Sequence, residues 1–358
     1  MKYFVYNLGC RVNSYELSVV ENHLQKCGFI KTKLKSDDAN IIILNTCSVT
    51  SVSDQKSRKM INHFRNHYPL AKLLVMGCFV EGNPDYSFND NEVGIGVFPR
   101  KRIIEEIDRC IDKNVVSSQQ PKWMYEEFGY TYNQNRRIPE IKIEDGCNNS
   151  CSYCRVSEIR GPVRSRLKEH ILNEIQYLYS EGKRRFILVG INLGEYGLDF
   201  NNYRLCNLLT DVVATFPDIE ISLSSLELST ITDDLLKILK TTNQIKHHFH
   251  IPLQSGSSKI LELMNRTFNK KDYLKKITEI KDVFPDATFS SDIIVGFPQE
   301  TEEDFLETID VVERVSFTKI HIFPYSIRPN TVAATLDGQI DAQTKKDRFM
   351  RLNKFNSK

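Results

Sequence analysis

Short apolar runs alternate with amphipathic stretches in the first third of the chain. The apolar runs cover residues 3–8, 41–44 and 73–76, and helical periodicity follows at residues 13–28, from Ser53 onward and at residues 101–112. Asn13 with Glu16 three positions later resembles the start of a helix, and Gly28 suits its end. The pattern predicts a βαβαβ arrangement around a parallel sheet.

The same alternation returns after a polar stretch at residues 117–135. Apolar runs at residues 141–143, 186–189, 219–223, 249–253, 289–295 and 320–325 are separated by helical segments. Parallel strands with helical crossovers are therefore expected, either as an open sheet or as an incomplete barrel. We predict an α/β protein with an N-terminal domain (1–116), a linker (117–136), a second domain (137–340) and a basic tail (341–358).

Composition limits the classes of protein to consider. A chain of 358 residues with 41% hydrophobic content suits two globular domains. Its longest purely apolar runs are far too short to cross a bilayer, so we expect a cytoplasmic protein with no membrane partner. The net charge of +2 does not by itself indicate a nucleic-acid partner. In a reducing compartment the nine cysteines point to metal binding rather than to disulfides.

Three cysteines lie close together directly after the first strand of the second domain. Cys147, Cys151 and Cys154 form a CxxxCxxC motif. A zinc site or three buried thiols are the alternatives, but structural zinc usually takes four ligands, and no second cysteine pair or nearby histidine completes a set. Three thiolates suit a 4Fe-4S cluster in which one iron stays open for a small ligand.

A second set of three cysteines follows the predicted strands of the N-terminal domain. Cys10, Cys47 and Cys78 each lie at or just past the carboxyl end of a strand. Because those ends share one edge of a parallel sheet, the thiols can converge and hold a second cluster. Inert core cysteines are the alternative. Cys27, Cys110 and Cys206 fall in predicted helices without partners at ligand spacing, which indicates packing.

The CxxxCxxC motif, with Tyr153 before its last cysteine, resembles the signature of radical S-adenosylmethionine (SAM) enzymes. The resemblance implies that the open iron binds the amino and carboxylate groups of SAM. It also implies that an electron from the cluster cleaves the sulfonium and releases a 5′-deoxyadenosyl radical. The cluster and SAM supply this chemistry, while the protein positions the parts.

Several stretches resemble the methylthiotransferases within that superfamily. They lie at residues 8–16, 45–50, 160–166, 251–256, 264–266 and 292–298. This resemblance implies a partial (β/α)6 barrel, two 4Fe-4S clusters, SAM as cofactor and an electron donor such as flavodoxin or ferredoxin. Family members usually continue into a small β-rich, TRAM-like RNA-binding domain. We expect this sequence to lack that domain, since it stops at Lys358.

The residues after Cys10 resemble one branch of the family most. That branch converts N6-threonylcarbamoyladenosine at position 37 of tRNA, in the anticodon loop, to its 2-methylthio derivative. The alternatives are a branch that acts on isopentenyl-adenosine in tRNA and one that acts on a ribosomal-protein aspartate. Two hypotheses of other classes are a non-catalytic two-cluster electron-transfer protein and an RNA-binding scaffold without clusters.

Polar and basic residues complete the candidate site. Candidates for SAM binding are Tyr153, Asn192, Ser224, Ser225, Glu227, Gln254 and Asp292, most of them near strand ends. Helix capping and turn formation are the alternative for each. Candidates for tRNA contact are Arg155, Arg160, Arg164, Arg166 and Lys168, together with Lys56, Arg58 and Lys59. Solvated helix faces would look similar.

Overall fold

The computed structural model describes residues 1–33, 39–111, 124–131 and 138–357. The chain forms two compact units. Unit 1 comprises Met1–Cys147 and Val156–Lys183, and unit 2 comprises Asn148–Arg155 and Arg184–Lys358. Most of the predicted linker (117–136) and the end of the predicted helix at residue 112 lie outside the described residues. The domain limits given above therefore stay predictions.

Unit 1 is built on a five-stranded parallel sheet. Its strands are β1 Lys2–Asn7, β2 Ile30–Lys31, β3 Ile41–Thr46, β4 Lys72–Gly77 and β5 Glu92–Ile95. They lie in the order β2-β1-β3-β4-β5. The connecting helices are α1 Arg11–Lys26, α2 Ser51–His67, α3 Cys78–Glu81 and α4 Lys101–Arg109.

Both faces of this sheet are covered, which explains why β3 is buried along its whole length. Ile41 and Ile43 pack with residues of α1 and α4 on one face. Ile42 and Leu44 pack with residues of α2 on the other. The alternation follows from the two-residue period of a strand. Each fully buried side chain of this size contributes roughly 1.5–3 kcal/mol.

The remaining elements of unit 1 are four short segments and the 13-residue helix α6. They are β6 Glu140–Lys142, β7 Glu144–Asp145, α5 Val156–Arg160, β8 Arg164–Ser165 and α6 Lys168–Ser180. Strands β7 and β8 pair antiparallel. The hydroxyl of Tyr15 on α1 donates to Oε2 of Glu174 on α6 at 2.9 Å.

Unit 2 continues the alternation of parallel strands and helices. Its strands are β9 Arg185–Val189, β10 Glu220–Leu223, β11 His248–His250, β12 Thr288–Val295 and β13 Lys319–Pro324. Its helices are α7 Leu205–Thr215, α8 Asp233–Thr241, α9 Ser258–Leu263, α10 Lys270–Val283, α11 Glu302–Val315, α12 Val332–Thr335 and α13 Ala342–Asn353. Strands β9 and β10 are parallel, as are β11, β12 and β13. A parallel bridge between Ser225 and His250 links the two groups.

The predicted α/β class with parallel sheets is confirmed. Most element boundaries differ from the prediction by one or two residues, but β11 ends at His250, before Pro252. A proline has no N–H for a strand ladder, which shortens the run predicted at 249–253. Among the helices in the described part of the chain, none is both long and apolar enough to span a bilayer.

Candidate functional site

Three cysteines of unit 1 follow three neighbouring strands at the same edge of the sheet. Asn7 of β1 pairs with Asn45 of β3, and Thr46 of β3 pairs with Gly77 of β4. Cys47 and Cys78 come directly after these positions, and Cys10 follows Asn7 by three residues. Burial, together with the neighbouring thiols of Cys78 and Cys10, raises the pKa of Cys47 to about 11. The three thiols therefore lie close enough to influence one another.

Asn13, in the first turn of α1, ties this helix to the end of β3. Its amide donates to Oδ1 of Asn45 at 3.1 Å and to the carbonyl oxygen of Thr46 at 2.7 Å. In return, Nδ2 of Asn45 donates to the carbonyl oxygen of Asn13 at 2.6 Å. The expectation that Asn13 begins the helix is wrong, because α1 starts at Arg11 and the Asn13 side chain is used for this contact instead.

Gly77 brings β4 close to the same point. Its φ is +105°, and a Cβ at this position would lie 2.6 Å from Oδ1 of Asn45 and 2.7 Å from the carbonyl oxygen of Thr46. Only glycine fits such a position without displacing backbone. The Asn13–Asn45–Gly77 arrangement thus fixes where Cys10, Cys47 and Cys78 leave the sheet.

The donor set of this edge fits an iron-sulfur cluster. All three cysteines are free thiols; Cys47 and Cys78 are buried and Cys10 is exposed. Three soft thiolate donors on rigid strand ends suit a 4Fe-4S cluster with one iron lacking a protein ligand. The exposed position of Cys10 gives that side of the site access to solvent.

A buried group of charged side chains lies next to this edge. Its members are Glu16, Asp145, Arg100, Lys142, Arg160 and Arg164. Lys142 Nζ donates to Glu16 Oε1 and to Asp145 Oδ2, both at 2.7 Å. Arg160 donates to Asp145 Oδ1 at 2.8 Å, and Arg100 pairs with Glu16.

The four basic side chains of this group outnumber its two carboxylates. Burial alone would raise the pKa of Asp145, but the surrounding cations, Arg160 and Lys142 foremost, hold it well below its usual value. Arg160 loses hydration by burial, yet Asp145 and the thiols of Cys78 and Cys10 hold its pKa well above the usual value. Burial raises the pKa of the Cys10 thiol, and the nearby charge of Arg160 opposes that rise.

The arginines proposed from the sequence as tRNA contacts are buried. Arg160 and Arg164 belong to the charged group just described, and Arg166 is fully buried against Glu127 and Glu174. Arg155 is also buried. Their guanidinium groups are used inside the protein, so we do not propose these four residues as RNA contacts. Sequence clustering of basic residues did not distinguish buried ion pairs from a basic surface.

Other basic candidates remain accessible. Lys56, Arg58 and Lys59 are exposed on α2, and Lys168 is half-buried. Arg58 lies over the rings of Phe79 and Tyr86 at 5.0 and 5.3 Å and donates to Asn83. Lys56 and Lys59, on the helix that follows Cys47, are therefore accessible to an external anion.

The CxxxCxxC motif runs across the boundary between the two units in sequence. Cys147 is the last residue before unit 2 begins, and its backbone N–H donates to the carbonyl oxygen of Gly161 in unit 1. In unit 2, Nη1 of Arg266 lies 3.3 Å from Sγ of Cys151. Arg266 Nη2 donates to Glu227 Oε1 at 2.5 Å, and both side chains are buried.

Arg266 is a site residue that the sequence analysis missed. It was noted only as part of a resembling stretch, since it lies more than a hundred positions from Cys151. A charged hydrogen-bond donor to a sulfur that binds a cluster changes the reduction potential of the cluster and fixes the orientation of the sulfur. Glu227, predicted to bind SAM, pairs with this arginine.

Other predicted SAM-binding residues of unit 2 also lie at strand ends. The buried Oγ of Ser224 has no hydrogen-bond partner among the described residues, as expected for a group that awaits a ligand. Gln254 has a φ of +67°, which is unusual for a residue with a side chain and is concentrated at functional sites.

The remaining predicted contacts also lie in unit 2. Asp292 lies 3.3 Å from Nε2 of His250. Asn192 is buried, the carbonyl oxygen of Ser225 accepts from the N–H of Leu193, and the ring of Tyr153 packs edge-on against Phe297. Sequence reasoning also missed Glu195, whose Oε2 accepts a hydrogen bond from the N–H of Asn148 at 2.9 Å. These contacts hold the loops at the strand ends in place.

Two protein families match parts of this chain. Residues 141–312 match the Radical SAM superfamily, so the fold and the cysteine motif define a radical SAM protein. Residues 2–96 match an uncharacterized protein family, UPF0004.

Similar curated proteins identify the family within the radical SAM superfamily. The chain is 32% identical over 97% of its length to the threonylcarbamoyladenosine tRNA methylthiotransferase MtaB of Bacillus subtilis, of which it covers 78%. It is 33% identical over 95% of its length to MtaB of Thermotoga maritima, covering 78% of it. It is also 32% identical over 98% of its length to the tRNA-2-methylthio-N(6)-dimethylallyladenosine synthase of Natranaerobius thermophilus, covering 80%. The chain therefore belongs to the radical SAM tRNA methylthiotransferase family and is a transferase.

Solved structures share the fold at low identity. The radical SAM methyltransferase TsrM from Kitasatospora setae has a TM-score of 0.65 at 12% identity, over 93% of this chain and 74% of that one. The cobalamin-dependent radical SAM enzyme OxsB has a TM-score of 0.61 at 10% identity, over 99% of this chain and 61% of that one.

Proposed function

We propose that this chain converts N6-threonylcarbamoyladenosine in the anticodon loop of tRNA to its 2-methylthio derivative, and that it carries two 4Fe-4S clusters. One observation carries the proposal: Cys10, Cys47 and Cys78 follow three adjacent parallel strands whose register brings them to one edge. A second set of three thiols suits a sulfur transferase, because an iron without a protein ligand in the cluster that they would hold can bind the sulfur to be delivered.

The CxxxCxxC motif and the strand ends of unit 2 would bind and orient SAM. Cys147, Cys151 and Cys154 would hold the first cluster, which with SAM supplies the radical that removes a hydrogen atom from the adenine ring. Radical chemistry is required because a C–H bond of adenine is not acidic enough for removal by an ordinary base. Arg266 positions the sulfur of Cys151, and Glu227 holds Arg266 in turn. The buried hydroxyl of Ser224 offers a hydrogen bond to the cofactor.

The residues of unit 1 would hold the second cluster. Cys10, Cys47 and Cys78 would bind it through three irons and leave the fourth iron without a protein ligand. Arg160 and its neighbours place positive charge beside the thiols, which offsets the negative charge of thiolates and sulfide. Asn13 and Gly77 keep the three attachment points in register.

Exposed residues near this edge suit an RNA loop. Lys56 and Lys59 are exposed on α2 and can contact phosphates. Val49 and Val52 are also exposed and offer apolar surface to an unstacked base. A loop base can leave its stack at little cost, which a reaction on the ring requires.

We propose that the enzyme works in the cytoplasm with a flavodoxin- or ferredoxin-like electron donor.

The branch assignment is tested in cells. We would delete the gene, reintroduce the wild-type chain or its Cys47→Ala or Cys151→Ala variant, and measure tRNA nucleosides by liquid chromatography and mass spectrometry. The wild-type chain should restore 2-methylthio-N6-threonylcarbamoyladenosine, and both variants should leave the unthiolated nucleoside. A Cys206→Ala variant, which removes a partly exposed cysteine of α7, is the matched control and should behave as wild type.

Each alternative gives a different result. Restoration of the 2-methylthio derivative of isopentenyl-adenosine instead would assign the chain to the other tRNA branch. A methylthio group found only on a ribosomal peptide would move it to the protein-modifying branch. An electron-transfer protein would contain iron but form no 5′-deoxyadenosine when reduced with SAM. A scaffold would contain no iron. Any of these outcomes would overturn the proposal.

A further inference from the structure

A histidine, a cysteine and an aspartate meet at one edge of unit 1, at the opposite end of α1 from Cys10. Nε2 of His23 lies 2.9 Å from Oδ1 of Asp108 and 3.5 Å from Sγ of Cys27. Sγ of Cys27 lies 3.9 Å from the same Oδ1. Sequence spacing alone indicates packing for Cys27, because Asp108 lies 81 positions away in the chain.

We propose that His23, Cys27 and Asp108 form a zinc site, with solvent as the fourth ligand. Tetrahedral zinc has bonds of about 2.3 Å to sulfur and about 2.0–2.2 Å to nitrogen and oxygen, so its ligand atoms are separated by roughly 3.3–3.6 Å. The three observed separations differ from this range by roughly half an ångström or less. The ligand atoms are therefore already arranged around a point where an ion fits.

The contacts made by the imidazole favour a cation over a plain ion pair. A single ring nitrogen, Nε2, faces both the carboxylate and the thiol. Nε2 carries either one hydrogen or one lone pair, so it can form a good hydrogen bond with only one of these two neighbours. A cation between the three atoms accepts electron pairs from all of them. On binding, the thiol of Cys27 would release its proton to solvent, while the neutral imidazole and the carboxylate bind unchanged.

The mixture of donors selects the metal. A thiolate, an imidazole and a carboxylate together suit zinc better than magnesium or calcium, which prefer oxygen ligands. Thiolate and carboxylate also supply two negative charges, which balance Zn²⁺ without another anion.

The surrounding fold holds the ligands in place and leaves a path for the ion. His23 and Cys27 are one helical turn apart, and the N–H of Cys27 donates to the carbonyl oxygen of His23. Helix α4, which carries Asp108, packs against α1 through a shared apolar core that Cys27 also touches. The side chains of His23 and Asp108 are 25% and 21% exposed, which gives solvent access. Zinc would clamp the end of α1 to α4 and so steady the helix that begins after Cys10.

Zinc binding to the reconstituted protein tests this site without relying on enzymatic activity. Untagged protein with both sets of cluster cysteines loaded with iron would be dialysed against buffered Zn²⁺, and zinc and iron would be measured by mass spectrometry. Wild type should bind about one zinc per chain. Cys27→Ala, His23→Gln and Asp108→Asn should each weaken binding by about 10-fold or more, with iron unchanged. Cys206→Ala, the matched control, should bind like wild type.

A melting experiment separates lost binding from lost folding. Zn²⁺ should raise the melting temperature of wild type and of Cys206→Ala but not that of Asp108→Asn. Without zinc, Asp108→Asn should melt within a few degrees of wild type, because it removes only a partly exposed ion pair. Equal zinc binding by Cys27→Ala and wild type, or no stoichiometric zinc in wild type, would overturn the proposal.

Discussion

The guanidinium of Arg160 donates a hydrogen bond to the side-chain oxygen of Asn13 at 2.6 Å, across 147 positions of sequence. Arg160 follows the CxxxCxxC motif by a few residues, whereas Asn13 follows Cys10. A segment next to the CxxxCxxC motif in sequence thus supports the edge that carries Cys10, Cys47 and Cys78. Arg160 also contacts Glu16 and Asp145, so the charged group and the three-cysteine edge share one residue.

Neutralising Glu16, one of the two carboxylates of the charged group, should lower the stability of the protein. Glu16 is fully buried and contacts Arg100, Lys142 and Arg160. Glu16→Gln leaves Asp145 as the one carboxylate against the four buried cations of the group, so we expect the free energy of unfolding to fall by about 3–5 kcal/mol in urea denaturation. Glu21→Gln, which breaks a partly exposed pair with Lys31, should cost less than about 1 kcal/mol. Equal effects of the two changes would show that the buried group is not essential.

Two glycine substitutions test how closely the strand ends must approach. Gly77→Ala combines a positive φ with close contacts to Asn45 and Thr46. We expect a loss of about 2 kcal/mol or more and less iron at the three-cysteine edge, because Cys78 must shift. At Gly28 the φ is +79°, but nothing lies within 4 Å of the added Cβ. Gly28→Ala should therefore cost only about 1–2 kcal/mol and leave the iron content unchanged.

Arg266 should matter for cofactor cleavage more than for stability. Arg266→Gln removes the charge that lies 3.3 Å from Sγ of Cys151. We expect 5′-deoxyadenosine to form about 10–100-fold more slowly, and the cluster to have a lower reduction potential. Arg314→Gln, on an exposed face of α11, is the control and should change neither quantity. An unchanged potential in Arg266→Gln would mean that this arginine only supports packing.

Asp304 should make the stability of unit 2 depend on pH in the acid range. Burial opposes its charge, but hydrogen bonds from Lys259, Ser257 and Thr301 lower its pKa to about 2. Because the folded-state pKa lies below the unfolded value, the stabilisation is present above about pH 4 and is lost as the pH falls toward about 2. Asp304→Asn should cost about 1–2 kcal/mol at pH 7.

The pH dependence of this cost provides the check. Unfolding followed by circular dichroism should show the wild type and Asp304→Asn converging as the pH falls through this window. Asp310→Asn, which alters an exposed pair with Lys270, should change stability little at any pH. A difference between wild type and Asp304→Asn that persists unchanged to pH 2 would contradict the assignment.

Periodicity and strand-end placement were enough to predict the elements and the edge to which Cys10, Cys47 and Cys78 belong. Each is a local property: a strand alternates every two residues, and its carboxyl end is where the apolar run stops. Arg160 and Arg166 could not be placed in this way, because a basic residue looks the same in sequence whether a carboxylate lies beside it or solvent does. Their partners, Asp145 and Glu174, are identified only by the folded chain.

Arg266 and Asp108 were missed for the same reason. Each contacts a cysteine that lies far away in sequence, and neither stands at ligand spacing from it. Asn13 shows the opposite error, since a local pattern that suggests a helix cap was overridden by contacts to Asn45 and Thr46.

Iron content tests the central claim most directly. Anaerobically reconstituted wild type should contain about eight irons per chain, as two four-iron clusters. Replacing Cys10, Cys47 and Cys78 together by alanine should leave about four, as should replacing Cys147, Cys151 and Cys154. A wild-type content of about four irons, or an iron content that does not change when Cys10, Cys47 and Cys78 are removed, would contradict the account.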